Sequence, residues 1–267
     1  MYIFMTFIYN IDPVFLHLGP VEIRYYGLVY VLGFVIAYFL LKYLVKKKEV
    51  SFSEDELETF LLYAAVGVLL GSRIFYFLFY NLSVLTQDPL EFFRIWDGGM
   101  SFHGGLIGVI CMSALFCRKY KKSFYELGDI VVLPTAIGLG LGRIANFMNG
   151  ELYGRATTLP WAVDFGDGIP RHPSQLYESA KNFFIFGVLW FLSNKEGLKK
   201  GTLFWTFIAL YGALRFCIEF VRQPDPQVGF VLFGVLTMGQ LLTGIMAFIG
   251  GSILFKWHVL DPKQKIS

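Results

Sequence analysis

The sequence is short of charge, and this shortage excludes most soluble proteins. Charged side chains make up 16% of the 267 residues, and hydrophobic ones make up 55%. A soluble domain carries roughly 25% charged residues, so these values and the mean hydropathy of +0.56 indicate that lipid surrounds most of the chain. The net charge is only +3, and no helix or ribbon gathers the basic residues. Nucleic acid is therefore excluded as a partner.

Cysteines are scarce, and the motifs of several enzyme classes are missing. Cys111, Cys117 and Cys217 lack the spacing of metal ligands, so no metal site is expected. Each cysteine lies in an apolar segment, where we expect a small buried hydrophobe. No Gly-x-Ser-x-Gly motif supports a serine hydrolase. No Lys or Arg precedes Arg24, so we expect no cleavable signal peptide.

Internal repeats and low-complexity segments are also missing from the sequence. Their absence weakens the interpretation of the chain as an inverted-repeat transporter. A transporter of an anionic solute stays as the alternative to an enzyme, because charged residues and glycine-rich helices inside a membrane also line translocation pathways.

Apolar runs of membrane-spanning length are what the sequence has in abundance. About 20 apolar residues cross a bilayer as a helix, and short connections separate successive runs. We predict an all-α, polytopic membrane protein of about seven transmembrane helices, forming a single domain over residues 1–267. The predicted spans lie near Tyr26–Val45, Leu57–Tyr80, Phe102–Phe116, Leu127–Leu141, Leu176–Leu192, Thr202–Phe220 and Phe233–Phe255.

Most basic residues follow every second span, and this alternation predicts the orientation. They are Lys42, Lys46, Lys47 and Lys48, then Arg118, Lys119, Lys121 and Lys122, then Lys195, Lys199 and Lys200, then Lys256, Lys263 and Lys265. Because cytoplasmic loops carry the excess of Lys and Arg, we predict an outer N-terminus and a cytoplasmic C-terminus. The longest connection, at about residues 142–173, then forms a small extracytoplasmic cap.

The remaining basic residues lie in the spans or on the outer side, and all but Lys181 are arginines. They are Arg24, Arg73, Arg94, Arg143, Arg155, Arg171, Lys181, Arg215 and Arg222. Lysine is enough to set orientation, whereas a planar guanidinium suits phosphate or carboxylate in a poorly hydrated place. The change of residue type therefore predicts an anion-binding site.

The glycine-rich segment Gly138–Gly154 is the most informative stretch. No strand precedes its first glycines, so close helix packing is a better interpretation of Gly138, Gly140 and Gly142 than a nucleotide loop. A cation, two amides and a carboxylate then follow within nine residues, at Arg143, Asn146, Asn149 and Glu151. That concentration predicts a polar site at a helix end.

A stripe in the sixth span carries a phenol, a guanidinium and a carboxylate. Tyr211, Arg215 and Glu219 are spaced four residues apart and share one helical face. An intramembrane arginine should face the interior and have a partner. The plain alternative is a structural salt bridge between Arg215 and Glu219. Arg222, just beyond, is predicted to pair with Asp225.

Two histidines stand at predicted helix starts. His103, next to Gly104 and Gly105, is the best-placed candidate for a general base, because the glycines let a backbone or ligand approach closely. The alternative is a satisfied structural histidine. His172 is instead predicted to orient the cap, with Ser174 capping the helix and Glu178 pairing with an arginine.

Together these stretches resemble the prolipoprotein diacylglyceryl transferase family. The likeness extends from Ile23 to Glu219, and the segment Gly142–Gly154 looks like the family signature. The other motifs are Ile23–Gly27, Ser101–Gly105, Arg171–Glu178 and Tyr211–Glu219. Ala156 stands where the family often has proline.

The resemblance implies an activity and a location. Members transfer the diacylglyceryl group of phosphatidylglycerol to the lipobox cysteine of a prolipoprotein signal peptide, forming a thioether and releasing glycerol 1-phosphate. This is the first step of bacterial lipoprotein maturation. The resemblance implies no metal and no diffusible cofactor. It also implies a multi-pass protein among the lipids of the cytoplasmic (inner) membrane, with its site toward the outer side.

The resemblance also assigns roles to individual positions. A thiol of pKa about 8.5 must lose its proton before it attacks, and His103 is the candidate base. Arg143 and Arg215 are expected to stabilise the leaving phosphate, with Tyr211 in the same catalytic group. The positions expected to bind the headgroup and orient the arginines are Tyr26, Arg143, Asn146, Glu151, Gly154, Arg215 and Glu219.

Overall fold

The apolar runs form helices in the computed structural model, which describes residues 7–19, 21–47, 50–94, 98–224, 229–232 and 234–260. The helices are α1 (Tyr25–Lys47), α2 (Glu54–Tyr80), α3 (Leu82–Gln87), α4 (Phe102–Tyr120), α5 (Phe124–Met148), α6 (Ser174–Ser193), α7 (Thr202–Glu219) and α8 (Met238–Phe255). A 3-10 turn covers Pro89–Phe93, and a π-helical turn covers Lys256–Leu260. Each predicted span overlaps one of the long helices.

Among the described residues, five helices are long and apolar enough to cross a membrane, namely α1, α2, α5, α7 and α8 with its π-helical turn. The chain is therefore a mostly helical, polytopic membrane protein. The helices α4 and α6, of 19 and 20 residues, fall outside that set, and the count of seven stays a prediction. Large apolar side chains are exposed, with Phe34 at 61% and Phe248 at 75%. Contiguous apolar exposure of this kind marks a surface that meets lipid.

Polar side chains fix several helix starts, because the first N–H groups of a helix have no partner within it. In α2, the Ser53 hydroxyl accepts from the Glu56 N–H, and the Glu56 carboxylate accepts from the Ser53 N–H. Thr237 and Gln240 form the same reciprocal cap on α8. The Ser101 hydroxyl caps α4, and so defines where the His103 segment begins.

Two compact units divide the chain. One consists of Leu41–Leu127, and the other combines Met1–Leu40 with Gly128–Ser267. We call them the α2–α4 unit and the α5–α8 unit after the helices that lie wholly or mostly in each. The single domain over residues 1–267 stays a prediction.

In the α2–α4 unit, the two long helices pack backbone against backbone. A Cβ built on Gly108 would lie 2.0 Å from the carbonyl oxygen of Gly67, and one built on Gly104 would lie 2.3 Å from that of Gly71. Only glycine permits so close an approach. Gly104, which follows His103, therefore serves the packing of α4 against α2.

Arg73 organises the loop that precedes α4. Its guanidinium donates to the backbone carbonyls of Glu91, Phe92, Arg94, Gly98 and Gly99. The residue is only 2% exposed, and it has no carboxylate partner among the residues that the structure describes. Because its donors are occupied by carbonyls, Arg73 is a structural residue.

In the α5–α8 unit, α7 packs against both α6 and α8. A Cβ on Gly212 would lie 2.6 Å from the carbonyl oxygen of Thr243, and one on Gly250 would lie 2.8 Å from the nitrogen of Ala209. Glycines on each helix therefore allow α7 and α8 to approach at two levels.

The glycines of α5 differ in what they contact. A Cβ on Gly140 would lie 3.0 Å from the ring of Phe183 on α6, so its predicted packing role is confirmed. Gly138 and Gly142 would place a Cβ with no neighbouring atom within 4 Å, and the packing prediction was wrong for them. The reason is helical geometry, because Gly138 and Gly142 share one face whereas Gly140 points to the opposite one.

Short strands accompany the helices, although an all-α chain was predicted. They are β1 (Phe7–Ile8), β2 (Val14–Leu18), β3 (Val21–Arg24), β4 (Val163–Asp164), β5 (Pro170–Arg171), β6 (Phe230–Leu232) and β7 (Leu236–Thr237). The first sheet has the order β1-β4-β5, with β1 parallel to β4 and β4 antiparallel to β5. β2 with β3 and β6 with β7 form antiparallel pairs. Strands of two to five residues are too short to leave a periodic signal in the sequence.

The predicted cap begins later than expected. Because α5 continues to Met148, the first residues of the predicted range 142–173 are helical. The rest of the connection carries β4 and β5, and the Tyr9 hydroxyl donates to the carbonyl oxygen of Met148 at 2.5 Å. The placement of this cap on the outer side stays a prediction.

The cysteines are free, but only one of them is buried. Cys117 lies inside the α2–α4 unit, whereas Cys111 on α4 and Cys217 on α7 are exposed. The prediction of buried cysteines was wrong for these two. An apolar residue of a membrane helix needs cover, but lipid provides it as well as protein does.

Candidate active site

A chain of hydrogen bonds crosses the end of α5. Arg143 Nη1 donates to Asn146 Oδ1 at 3.4 Å, and Asn146 Nδ2 donates to Glu151 Oε1 at 2.8 Å. Asn149 Nδ2 donates to the same carboxylate oxygen at 3.3 Å. The structure thus brings together the cation, the two amides and the carboxylate that the sequence placed within one segment.

The start of α6 holds this segment from the other side. Gln175 Nε2 donates to the carbonyl oxygen of Glu151 at 2.6 Å, and Ser174 Oγ donates to that of Leu152 at 3.1 Å. Both donor side chains are buried. The predicted capping role of Ser174 was wrong, because Pro173 occupies the N-cap and the hydroxyl is used by the neighbouring segment.

Glu178 lies one turn further along α6 and pairs with two cations. Its Oε2 is 2.7 Å from Lys181 Nζ, and its Oε1 is 2.9 Å from Arg215 Nε. The side chains of Glu178 and Lys181 are 1% and 2% exposed. The predicted pairing of Glu178 with an arginine is confirmed. Burial strengthens both pairs, since little water screens them.

Arg215 also pairs with Glu219, one turn further along α7. The Thr237 hydroxyl donates to Glu219 Oε1 at 3.0 Å. The structural salt bridge named as the plain alternative therefore exists. Because carboxylates on two helices hold Arg215, its guanidinium is fixed in one orientation.

Tyr211 connects the two clusters. Its phenol lies beside Arg143 and interacts with that guanidinium. Its ring lies 3.8 Å from Lys181 Nζ and stacks on Phe207 with centroids 5.6 Å apart. Arg143, Tyr211 and Arg215, predicted to act together, consequently belong to one contiguous cluster.

Arg143 differs from Arg215 in its partners. Within the described ranges, Arg143 is ion-paired with no carboxylate; it donates to the amide of Asn146 and lies beside the phenol of Tyr211. A guanidinium has five N–H donors, so most of the capacity of Arg143 remains for an anion. Among the side chains of the site, Arg143 is therefore the one best suited to bind a phosphate.

Several of the other arginines have local partners. Arg24 pairs with Glu22, Arg94 with Asp88 and Glu91, and Arg171 with Asp167. The hydrogen bond from Arg171 lowers the pKa of the Asp167 carboxyl. Residue type alone therefore selects arginines that anchor loops as well as Arg143, whose role stays a prediction. Asp225, the predicted partner of Arg222, lies outside the described residues.

Gly154 permits a close backbone contact beside the site. Its N–H donates to the carbonyl oxygen of His172 at 2.8 Å, and a Cβ there would lie 2.5 Å from the carbonyl oxygen of Val221. The ring of His172 contacts the Tyr177 hydroxyl at 3.2 Å, and burial lowers the pKa of His172. Both residues therefore hold segments of the connection together through these contacts.

The two remaining predicted residues lie at helix starts. His103 is in the first turn of α4, exposed, with its ring 5.7 Å from that of Phe102. It belongs to the α2–α4 unit. Tyr26, in the first turn of α1, is half-buried and belongs to the α5–α8 unit. The roles of both residues stay predictions.

Three buried residues of the cluster were not predicted from the sequence as site residues, namely Gln175, Lys181 and Thr237. The signal for the first two is the polar face of α6, where they flank Glu178 in an otherwise apolar span. Thr237 left no local signal, because it reaches Glu219 from the start of another helix.

Comparison with known proteins agrees with the motifs. Residues 13–257 match the model of the family described as prolipoprotein diacylglyceryl transferase. A phosphatidylglycerol–prolipoprotein diacylglyceryl transferase of Geobacter sulfurreducens is 46% identical, over 90% of this chain and 93% of its own length. Proteins of the same name from Chromohalobacter salexigens and Desulfotalea psychrophila are 48% and 43% identical to this chain. Each match covers 95% of this chain, together with 94% of the first relative and 96% of the second. Because these matches run nearly from end to end, the chain belongs to the prolipoprotein diacylglyceryl transferase family.

Proposed function

We propose that this chain transfers the diacylglyceryl group of phosphatidylglycerol to the lipobox cysteine of a prolipoprotein, the first step of bacterial lipoprotein maturation. Family membership over residues 13–257 supports this activity. The observation that carries the proposal is Arg143, which has no carboxylate partner in the described part of the chain and lies in one cluster with the buried pairs of Arg215. An anionic phospholipid headgroup fits such an arginine.

The reaction requires a thiolate and a stabilised leaving group. A free thiol has a pKa of about 8.5 and is mostly protonated at neutral pH. In the proposed mechanism His103 accepts this proton. The sulfur attacks the carbon of the diacylglyceryl group that is bonded to a phosphate oxygen. A C–S bond forms as the C–O bond breaks, and glycerol 1-phosphate leaves with the bonding electrons on its phosphate oxygen. Arg143 and Arg215 bind the negative charge that grows there.

The other site residues hold these groups in place. Asn146 links Arg143 to Glu151, and the Tyr211 phenol of α7 lies beside Arg143. Glu219 orients Arg215. We assign headgroup binding to these residues together with Tyr26 and Gly154.

Both reactants reside in the membrane, and this explains a site built between membrane helices. We propose that α4 and α6 cross the membrane as well, giving seven spans in the cytoplasmic (inner) membrane. The N-terminus and the cap then lie outside, the C-terminus lies in the cytoplasm, and the lipid and the signal peptide enter laterally from the bilayer. Lys48, Lys263 and Lys265, which contribute to this orientation, lie outside the described residues.

The test is chemical and needs no compartment. Purified protein in detergent is mixed with phosphatidylglycerol and a lipobox peptide, and mass spectrometry follows the diacylglyceryl adduct while glycerol phosphate is measured separately. We expect both products in equal amounts, and none with a peptide whose cysteine is replaced by serine. Folded protein that yields no adduct contradicts the proposal. Solute uptake into vesicles by such a preparation would instead support a transporter.

A further inference from the structure

Lys181 is a buried cation to which the proposed mechanism gives no task. Its side chain is 2% exposed, although it lies on a helix surrounded by apolar residues. Burial of an ammonium is costly unless the charge is paired. Its Nζ atom has two neighbours of note, Glu178 Oε2 at 2.7 Å and the centroid of the Tyr211 ring at 3.8 Å.

Lys181 completes a set of charges that is neutral as a whole. Glu178 pairs with both Lys181 and Arg215, and Arg215 pairs with Glu219. We call these residues the buried tetrad, which has two cations and two carboxylates. The Tyr211 ring under Lys181 connects the tetrad to Arg143, since the Tyr211 phenol lies beside that guanidinium and interacts with it.

We propose that Lys181 is a positioning residue that sets the preference of the site for an anionic lipid. By neutralising one side of Glu178, it keeps the tetrad uncharged, so that the positive charge of Arg143 is left to attract the phosphodiester of phosphatidylglycerol. By lying on the Tyr211 ring, it also keeps the phenol in place against Arg143. The inference rests on the proposed function and names a residue that the motifs did not indicate.

Loss of the ammonium has a defined electrostatic consequence. The tetrad would carry one net negative charge, because Arg215 alone would then be paired with both Glu178 and Glu219. In a poorly hydrated site this charge repels an approaching phosphate strongly. The repulsion acts on the bound lipid as well as on the transition state, so it should raise KM more than it lowers kcat.

The experiment measures adduct formation by the purified full chain in mixed micelles while the mole fraction of phosphatidylglycerol is varied. We expect K181Q to raise KM for the lipid by about tenfold, the effect of losing one charge-assisted contact, with kcat within about threefold of wild type. K181R should restore KM. The double variant E178Q/K181Q, in which the tetrad is neutral again, should also restore KM to within about threefold, while its kcat falls because Arg215 keeps only Glu219 as a carboxylate partner. K195Q, a change to an exposed lysine beyond the end of α6, is the matched control.

The outcomes separate the inference from the proposed function. If the wild type forms no adduct, the proposed function fails, whereas an active wild type with an unchanged KM in K181Q overturns only the role of Lys181. A double variant no better than K181Q also overturns it, because a packing role would not be rescued by removal of a carboxylate. Should K181Q fail to fold, as judged by its thermal unfolding, the double variant decides. A KM for E178Q/K181Q that is about tenfold above the wild-type value would then refute the proposal.

Discussion

Arg143 and Arg215 are the same residue type in two electrostatic situations. Glu178 and Glu219 hold Arg215 from two helices, whereas Arg143 donates to an amide, lies beside a phenol and, within the described residues, pairs with no carboxylate. The first arrangement fixes a guanidinium, and the second leaves one ready for an anion. At the scale of single residues, the partners rather than the residue type distinguish the two roles.

Replacement of Arg143 by lysine tests the phosphate contact. The positive charge remains but the planar fork is lost, so we expect kcat to fall by about 100-fold, as when one transition-state donor is removed. Adduct formation at saturating phosphatidylglycerol measures this fall. Arg94→Lys is the control, because that guanidinium is already paired with Asp88 and Glu91. Turnover like that of the wild type in Arg143→Lys would refute the phosphate role.

His103→Gln tests the proton acceptor. A general base contributes about 100-fold or more, so we expect a loss of that size at pH 7. The loss should shrink as the pH approaches the thiol pKa of about 8.5, where the peptide ionises unaided. The rate is measured from pH 6 to pH 9, with His17→Gln on an exposed strand as control. An active variant that keeps the parental pH profile would assign proton removal to another group.

At the scale of elements, the faces of one helix differ in what they contact. In α6, the face with Gln175 and Glu178 holds the end of α5 and the arginine of α7. In α5, the face of Gly140 meets α6. A Cβ built on Gly138 or Gly142, on the opposite face, would have no neighbouring atom within 4 Å. The spacing of the glycines along a helix thus determines which of them face a neighbouring helix and are required for its packing.

The glycines of α5 should respond in opposite ways to alanine. Gly138→Ala adds a methyl group into open space and removes backbone entropy from the unfolded chain, so we expect a gain of roughly 0.5–1 kcal/mol in stability. Gly140→Ala forces the Phe183 ring to move from 3.0 Å, and we expect a loss of about 1 kcal/mol. Thermal unfolding in detergent compares the two matched variants. Equal changes in the unfolding temperature of the two variants would contradict the different surroundings of Gly138 and Gly140.

The connection between α5 and α6 should loosen in acid. Burial lowers the pKa of folded His172, so the unfolded segment takes up a proton first. The stability linked to this residue is fully present above the unfolded pKa of about 6.5 and is lost as the pH falls from there through the lower folded pKa. Hydrogen exchange of the Gly154 amide, which is bonded to His172, measures the opening after correction for intrinsic exchange. His172→Gln should remove the dependence, and its persistence in that variant would assign the effect to another group.

At the scale of the whole molecule, the bilayer decides what is buried. Exposed residues such as Phe34, Phe248 and Cys217 lie on apolar helices, and lipid replaces the protein core that a soluble fold would need. Polar residues gather instead where helices meet, at Asn146 and Glu178 for example. The described helices are thus apolar where they are exposed and polar where they pack against one another.

The path of the chain through the membrane provides a global test. Thr158 and Lys195 are exposed residues before and after α6, and we predict them on opposite sides of the membrane. In a variant without native cysteines, Thr158→Cys should react with a membrane-impermeant maleimide in intact spheroplasts. Lys195→Cys should react only after permeabilisation. Equal labelling of both before permeabilisation would show that α6 does not cross.

The sequence alone determined the membrane class, the positions of the long helices, the family and the polar segment from Arg143 to Glu151. These properties follow from apolar runs and from residues close together in the chain, which act through local geometry. Tertiary structure decided that Glu178 and Lys181 join Arg215, that Thr237 reaches Glu219, that Ser174 bonds to Leu152, and that only Gly140 among three glycines packs. Each of these depends on which helix faces lie against one another, and a contact between distant parts of the chain leaves no periodic signal in either of them.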